Sequence, residues 1–264
     1  MDVGVDVGGT FTDFVGFRGR AVVTTKIPST ANPSDAVLAG LREMGADAMA
    51  HGTTVATNAI LERKGARTVF ITTAGFEDLL TIGRQNRPSL YDFRVARPPA
   101  TVPRELCLGA RERVDARGHV LRPLSGREAR RIAKEVQSLR AESVAVCLLF
   151  SFLRARHERL LRDALKPLPV STSHEVLAEF REFERASTTV LDAYVKPLVA
   201  RYLGDLRAAM GRDFLVMKSG GGVSSQREVL RRPVDLVLSG PAGGVAAAVV
   251  LSRASRWRNL VTFD

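Results

Sequence analysis

The chain has 264 residues, of which 45% are hydrophobic, and it carries 39 lysines and arginines against 28 aspartates and glutamates. This length is sufficient for a buried core in one large domain or in two smaller ones. The net charge of +11 does not predict specific nucleic-acid binding, because acidic residues are interleaved with the basic ones and no zinc-finger, RNP or helix-turn-helix pattern is present. We expect no nucleic-acid partner and a charged, solvated surface that helps to attract anionic substrates.

The first part of the chain is predicted to contain mainly strands. In chain order, the pattern predicts strands at residues 3–7, 11–17 and 21–27, a helix from Pro33, a strand at 49–54, a helix to Lys64 with Gly65 as its C-cap, and a strand at 68–73. Short turns between the first three strands indicate an antiparallel meander. Residues 84–103 contain four prolines and little periodicity, which predicts a long loop.

The second part is predicted to alternate between helices and strands. The predicted elements are a hairpin at residues 105–121 with its turn at 116–118, a helix at 126–139, a strand at 143–150, a helix at 155–165, a strand at 170–173, helices at 182–194 and 197–210, a strand at 214–217, a glycine-rich turn, and a helix from Gly243. This alternation is typical of an α/β protein.

Cysteine usage and hydropathy predict a cytoplasmic location. Cys107 and Cys147 form no C-x-x-C pair, and Cys147 lies in the apolar run at residues 144–150. A buried free cysteine is typical of a reducing compartment. The first residues lack the basic and apolar regions of a signal peptide. No apolar stretch reaches the roughly 20 residues that cross a bilayer, so no membrane partner is expected.

A glycine turn near the N-terminus has the composition of a phosphate-binding loop. In the segment at residues 2–13, DVGVDVGGTFTD, a short apolar strand leads directly into Gly8 and Gly9. Two adjacent glycines allow the backbone to approach an anion closely and to point N–H groups at it. Thr10 and Thr12 add hydroxyl donors. The same turn is also compatible with an ordinary β-hairpin in which glycine is needed for a positive φ.

Two carboxylates flank this turn. Asp6 and Asp13 suit Mg²⁺, which prefers oxygen ligands and usually keeps several waters. The segment is neither a P-loop nor a Rossmann fingerprint, because no Gly-Lys-Ser/Thr and no third glycine follows it.

A second candidate segment is at residues 51–58, HGTTVATN. A predicted strand end here delivers His51, Thr53, Thr54 and Asn58 to the start of a helix, where N–H groups are free and the dipole is positive. Helix capping by one of the threonines, with a core or surface histidine, explains the pattern equally well.

Two further glycine-rich segments follow predicted strands. They contain the candidate nucleotide-contacting residues Gly221 and Gly222 in the first segment and Gly240, Gly243 and Gly244 in the second. Glycines at such positions allow a ligand to approach closely, or simply allow a sharp turn or a tightly packed helix.

In their order and wording, these segments resemble the hydantoinase A and 5-oxoprolinase family, and most of all its prokaryotic hydantoinase-like branch. The resemblance rests on residues 6–13, 51–62, 73–78, 173–176, 180–189 and 239–245, and it extends over essentially the whole chain. The first segment also resembles the first phosphate loop of the actin, Hsp70 and sugar-kinase ATPases. The resemblance implies an actin-like (ribonuclease H-like) α/β fold, with a mixed sheet and flanking helices.

The same resemblance implies a domain organisation. Residues 1–175 would form the hydantoinase/oxoprolinase N-terminal domain, and residues 176–264 would begin the hydantoinase A core domain. Family members continue beyond the strand at residues 262–264 into a second phosphate loop. We therefore expect this chain to be an N-terminal fragment or a truncated reading frame that stops before that loop.

The resemblance also implies an activity, which is the ATP-dependent ring opening of a cyclic amide or imide such as 5-oxoproline or a hydantoin. Transfer of the γ-phosphoryl group to the amide oxygen would create an activated imidyl phosphate that water then attacks. The implied cofactors are ATP and Mg²⁺ or Mn²⁺. The implied roles are nucleotide binding by Gly8, Gly9, Thr10, Thr12, Gly221, Gly222, Gly240, Gly243 and Gly244, metal binding by Asp6 and Asp13, catalysis by Asp6, Asp13 and His51, and substrate binding by Thr53, Thr54 and Asn58.

Other functions remain open at this point. The similar subunits of ATP-dependent acetone and ketone carboxylases are one alternative, and a sugar or acetate kinase is another that the His51 segment disfavours. A non-catalytic nucleotide-binding fragment or assembly module is the third. The expected partners are a small lactam or imide substrate, a hydantoinase B-like subunit and further copies in an oligomer. Fold alone does not decide among them.

Overall fold

The computed structural model describes residues 1–19, 21–30, 33–92, 94–255 and 259–261, and it divides into two compact units. The first unit contains residues 1–64 and 198–264, and the second contains residues 65–197. The predicted family-domain boundary between residues 175 and 176 stays a prediction. Within the described residues, no helix is both long and apolar enough to span a bilayer.

The helices and strands follow one another in this order. Up to residue 122 they are β1 (Asp2–Val7), β2 (Phe11–Arg18), β3 (Ala21–Pro28), α1 (Pro33–Met44), β4 (Ala48–Thr53), α2 (Val55–Leu61), β5 (Thr68–Thr73), α3 (Leu79–Ile82), β6 (Cys107–Ala110), β7 (Arg113–Val114) and β8 (Val120–Arg122). They continue with α4 (Gly126–Ser138), β9 (Ser143–Cys147), α5 (Arg156–Ala164), β10 (Val170–Thr172), α6 (Ser173–Val176), α7 (Glu182–Met210), β11 (Leu215–Met217), β12 (Val223–Ser225), α8 (Gln226–Val229) and α9 (Ser239–Ser255). Short 3₁₀ turns lie at Arg104–Leu106 and Pro233–Leu236.

The first unit is built on a six-stranded mixed sheet with the strand order β12-β11-β4-β1-β2-β3. β1, β2 and β3 pair antiparallel, which confirms the predicted meander, whereas β4 is parallel to β1 and β11 is parallel to β4. In β1, Val3, Val5 and Val7 are buried while Asp2 and Asp6 are exposed, as the two-residue period of a strand requires. The sheet therefore has one buried face and one more open face.

The second unit is built on a four-stranded parallel sheet with the order β10-β9-β5-β6. Every residue of β5 and β9 is buried, which is typical of parallel strands covered on both faces. The hairpin of β7 and β8 is a separate two-stranded sheet. The long loop is confirmed, since the described residues between 84 and 103 contain no helix or strand.

Two predicted boundaries were wrong because tertiary contacts replaced the local signal. The helix predicted to reach Lys64 ends at Leu61, and Gly65 is not its cap. A Cβ atom on Gly65 would lie 2.2 Å from Cε1 of Tyr194, so Gly65 makes room for that aromatic ring. The strand predicted to reach residue 150 ends at Cys147, because the next two N–H groups donate to side chains and not to a neighbouring strand.

The predicted hairpin at residues 105–121 was also wrong. Residues 107–110 form β6, which pairs parallel with β5, and only the short strands β7 and β8 form a hairpin. The predicted turn is confirmed, since Gly118 has a φ of +80° and its N–H donates to the carbonyl of Asp115 at 3.0 Å.

The two helices predicted at residues 182–194 and 197–210 are one helix, α7, with Pro197 inside it. Proline removes one backbone hydrogen bond and usually bends or ends a helix. Residues on both sides of it, among them Val195 and Val199, are fully buried, and their burial offsets that loss. At the C-terminal side, α9 begins at Ser239 rather than Gly243, and the expected strand at residues 262–264 lies outside the described residues.

Candidate functional site

A row of four residues crosses the open face of the first sheet near the glycine turn. In the strand register, Asp6 lies opposite Gly52 on one side and opposite Asp13 on the other, and Asp13 lies opposite Lys26. The Lys26 ammonium contacts the Asp13 carboxylate at 2.8 and 3.2 Å. The two predicted carboxylates are therefore neighbours on one face, and Asp13 is paired with Lys26.

Gly52 gives the Asp6 carboxylate its space. A Cβ atom on Gly52 would lie 3.0 Å from Oδ1 of Asp6, closer than most real Cβ contacts. Sequence reasoning missed both Gly52 and Lys26. The place of Lys26 could have been predicted, because pairing the predicted meander residue by residue puts it opposite Asp13.

A cavity of about 780 Å³ lies against this row. Its lining combines Asp6, Asp13 and Lys26 from the sheet with Gly240, Gly243 and Gly244 from α9. A Cβ atom on Gly243 would lie 2.5 Å from Sδ of Met217, so this glycine lets α9 approach β11. The structure thus brings together five of the predicted site residues from distant parts of the sequence.

The glycine turn lies between β1 and β2, directly after the strand that carries Asp6. Neither Gly8 nor Gly9 has a positive φ, whereas Gly19 in the next turn has a φ of +64°. The hairpin alternative therefore does not account for the two glycines. A Cβ atom on Gly8 would lie 3.1 Å from the carbonyl oxygen of Phe11, and the space beside Gly9 is open to at least 4 Å.

Thr10 and Thr12 have different environments. Thr10 is exposed at the turn, whereas Thr12 is completely buried. The Thr12 hydroxyl lies 3.4 Å from the hydroxyl of Ser29. Thr12 therefore does not face the side of the sheet that carries Asp13, and the structure does not bring its hydroxyl to the cavity.

His51 lies on the buried face of the sheet, opposite Val5 rather than Asp6. Its Nε2 forms a 2.7 Å hydrogen bond with the Tyr202 hydroxyl, and its Nδ1 has no partner within the described residues. Burial lowers the pKa of His51 to about 4 and raises the pKa of Tyr202. The structure does not bring His51 together with Asp6 and Asp13, and its acid–base role stays a prediction.

The threonines that follow His51 tie helix α2 to the end of β1. Thr54 donates from Oγ1 to the carbonyl of Val7 at 3.1 Å and accepts a bond from the Asn58 amide at 3.2 Å. Thr53 is buried, and its Oγ1 accepts from the N–H of Val55 at 3.2 Å. Thr53 thus satisfies the first N–H of α2, whereas Thr54, the N-cap residue, makes no side-chain capping bond. The contacts of Thr54 place it and Asn58 next to the glycine turn.

Gly221 and Gly222 close the hairpin between β11 and β12. Their φ values are +82° and +73°, a conformation that favours glycine. The N–H of Lys218 donates to the carbonyl of Gly222 at 3.1 Å. The two glycines do not line the cavity beside Asp6, and their predicted nucleotide contact stays a prediction. In the ranges that the structure describes, no group of three or more His, Cys, Asp or Glu side chains is arranged to hold a metal ion.

The buried His51 predicts a pH dependence of stability. The folded state keeps this imidazole neutral down to about pH 4, whereas an unfolded histidine binds a proton near pH 6.5. Between these values the unfolded state binds more protons, so the free energy of unfolding falls as the pH is lowered, by about 3 kcal/mol in total. Urea unfolding of the native chain and of His51→Gln between pH 7.5 and 4.5 measures this loss.

We expect His51→Gln to flatten the acid side of the stability profile, because glutamine does not titrate. His119→Gln is the matched control, since the His119 side chain is 67% exposed. Equal acid slopes for the native chain and His51→Gln would contradict the prediction.

Comparison with known proteins extends these observations. The family model of the hydantoinase/oxoprolinase N-terminal region, which describes a protein family at the level of sequence, matches residues 2–168. The hydantoinase/oxoprolinase family model matches residues 185–264. The acetophenone carboxylase gamma subunit of Aromatoleum aromaticum is 30% identical over 99% of this chain and 40% of its own length. The caprolactamase subunit alpha of Pseudomonas jessenii is 30% identical over 99% of this chain and 41% of its own length.

Two solved structures share the fold. Nucleotide-free acetone carboxylase, from work on ATP-dependent acetone carboxylation, has a TM-score of 0.82 and 27% identity over 98% of this chain and 41% of its own. The ATP-dependent caprolactamase of P. jessenii has a TM-score of 0.82 and 28% identity over 97% of this chain and 41% of its own.

This chain therefore spans about two-fifths of the length of these relatives, two of which are described as subunits. The expected actin-like α/β fold is confirmed. Two family models together cover most of the sequence, and the chain belongs to the hydantoinase/oxoprolinase family.

Proposed function

We propose that the protein containing this chain couples ATP hydrolysis to the ring opening of a cyclic amide or imide, and that this chain holds the nucleotide phosphates. The row of Gly52, Asp6, Asp13 and Lys26 beside the glycine turn is the observation that carries the proposal. The ATP dependence of the solved relatives supports the choice of nucleotide.

The glycine turn supplies donors that suit phosphate oxygens. Gly9 and Thr10 are exposed, and their N–H groups donate no hydrogen bond to any described residue. Successive free N–H groups in a turn form a concave site for anions. The Lys26 ammonium lies on the same side of the sheet as Asp6 and adds positive charge to this end of the unit.

The carboxylates fit a hydrated divalent cation. Mg²⁺ in phosphate sites is usually held by one or two carboxylates together with the substrate phosphates, and it keeps several waters. Asp6 would hold Mg²⁺ or Mn²⁺ directly. Asp13 would contact the waters of the ion while its carboxylate stays paired with Lys26.

The chain contributes positioning and charge balance to the reaction. ATP would supply a phosphoryl group to the amide oxygen, which makes the ring carbon a better target for water. The N–H groups of Gly9 and Thr10 hold phosphate oxygens in place, and Asp6 and Lys26 balance the charges around them. In phosphoryl transfer, such positioning and electrostatic stabilisation supply most of the rate.

Five further predicted residues have supporting places in this proposal. Gly240, Gly243 and Gly244 line the cavity and leave room for the nucleotide, because they carry no side chains. Thr54 and Asn58 lie beside the end of β1 and are the proposed substrate contacts. A hydantoinase B-like partner subunit is part of the proposal, since relatives are described as subunits.

ATP-dependent carboxylation of a ketone is the second candidate. It is favoured by the acetophenone carboxylase gamma subunit, which matches this chain with the same 30% identity as the caprolactamase subunit. The two candidates require the same phosphate site and differ in what accepts the phosphoryl group.

Phosphate release from ATP tests the proposal. The purified protein is assayed with 5-oxoproline, hydantoin or caprolactam, and separately with acetone or acetophenone plus bicarbonate. Stimulation by a cyclic amide, with formation of the ring-opened acid, is the expected result. Stimulation only by ketone and bicarbonate would establish the second candidate. If the protein neither binds ATP nor hydrolyses it, both candidates are wrong.

A further inference from the structure

Ser29 contacts both ends of the glycine turn. It follows β3 directly, and its N–H donates to the carbonyl of Thr10 at 2.8 Å. Its hydroxyl donates to the carbonyl of Gly8 at 2.9 Å. One residue therefore binds the two carbonyl groups on either side of Gly9. Pro28, the last residue of β3, has no N–H group. The N–H of Ser29 is therefore the first backbone donor at this end of the strand.

These two bonds decide which backbone groups the turn presents. A carbonyl oxygen carries partial negative charge and repels phosphate, whereas an N–H group attracts it. Ser29 occupies the carbonyls of Gly8 and Thr10, and the N–H of Gly8 is used by the carbonyl of Phe11 at 3.0 Å. The N–H groups of Gly9 and Thr10 are left for a ligand.

Thr12 holds the Ser29 hydroxyl from the other side. The Thr12 side chain is completely buried, and its Oγ1 lies 3.4 Å from Oγ of Ser29. The hydroxyl of Ser29 is thus placed between Thr12 and the carbonyl of Gly8. Thr12 therefore supports the glycine turn through Ser29, which accounts for its position on the buried face, away from the cavity.

We propose that Ser29 is a positioning residue for the phosphate-binding turn, and that its two donated bonds orient the turn so that N–H groups face the nucleotide. The inference rests on the proposed function, because it concerns the same phosphate site. It assigns to Ser29 a part in ATP affinity that does not depend on any contact between Ser29 and the nucleotide.

Titration of the protein with ATP tests the inference. We expect Ser29→Ala to weaken ATP binding about tenfold, because one of the two bonds that orient the turn is lost. Ser29→Thr keeps the hydroxyl and should restore the affinity to within about twofold of the native value. The matched control is Ser138→Ala, which also removes a serine hydroxyl that donates to a backbone carbonyl, that of Glu135 at 2.7 Å.

Amide hydrogen exchange of the ligand-free protein is the second measurement. Ser29→Ala should speed exchange in residues 8–12, and neither Ser138→Ala nor Ser29→Thr should do so. A Ser29→Ala protein with unchanged exchange in this segment would overturn the inference, whether or not ATP binds. An ATP affinity of Ser29→Ala that equals the affinity of Ser138→Ala would also overturn the inference. If the native protein does not bind ATP but Ser29→Ala still exchanges faster, the proposed function is contradicted and the orienting bonds are supported.

Discussion

Replacing Asp6 with asparagine is expected to lower ATP turnover at least about 100-fold, the scale of losing one group that stabilises transition-state charge. Asparagine has nearly the same shape as aspartate but lacks the negative charge that would hold Mg²⁺ beside the phosphates. Asp6 is exposed at the end of β1, so the substitution should change the free energy of unfolding by no more than about 0.5 kcal/mol. Phosphate release and urea unfolding of the same preparations measure the two effects.

Asp2→Asn is the matched control for Asp6→Asn. Asp2 lies on the same strand and the same exposed face, four residues before Asp6, but it does not line the cavity with Asp13. Its turnover should stay within about twofold of the native value. Turnover by Asp6→Asn at the level of Asp2→Asn would show that Asp6 has no part in the reaction.

The fold around this site was largely predictable from the sequence. Two short apolar segments at 3–7 and 11–17, separated by a glycine turn, identify paired strands, and the alternation of buried valines with other residues in 3–7 indicates one buried face. Asp6 and Asp13 then fall on the same face by their spacing. Lys26 could have been added by the same pairing argument, because its position in β3 follows once the turn at Gly19 is located.

Other parts of the site depend on contacts that no local pattern contains. His51 is the first residue of the candidate segment at 51–58, but the register of β4 turns its side chain into the core. Ser29 has no signal of its own, since a serine after a strand is common in any loop. The single helix α7 was missed for the opposite reason, because Pro197 is a strong local signal that burial overrides.

Residues 173–176, one of the segments on which the family resemblance rests, have a structural role in the second unit. The segment Ser173–Val176 is helix α6, and its first two residues bind the buried carboxylate of Glu158 on α5. The Ser173 hydroxyl donates to Oε1 at 2.6 Å, and His174 contacts Oε2 through its N–H at 3.0 Å and its Nδ1 at 2.7 Å. The N–H of Leu148, just beyond β9, donates to Oε1 at 2.9 Å. Glu158 therefore joins the ends of β9 and β10 to α5.

Replacing Glu158 with alanine is expected to lower the free energy of unfolding by about 3–5 kcal/mol, the cost typical of removing one partner from a buried charged network. The carboxylate is completely buried, so its loss removes the acceptor of the Leu148 and His174 donors, and each such buried group adds to the penalty. Urea unfolding at neutral pH measures the change.

The neighbouring residue on α5 provides the control for Glu158→Ala. Arg159 is exposed, so Arg159→Ala removes a charged side chain from the same helix without opening the core, and it should change stability by no more than about 0.5 kcal/mol. Glu158→Gln keeps the size and one acceptor oxygen, and it should fall between the two. A loss below about 1 kcal/mol for Glu158→Ala would mean that the four bonds contribute little. The Ser173–His174 segment would then need a role beyond joining the strand ends.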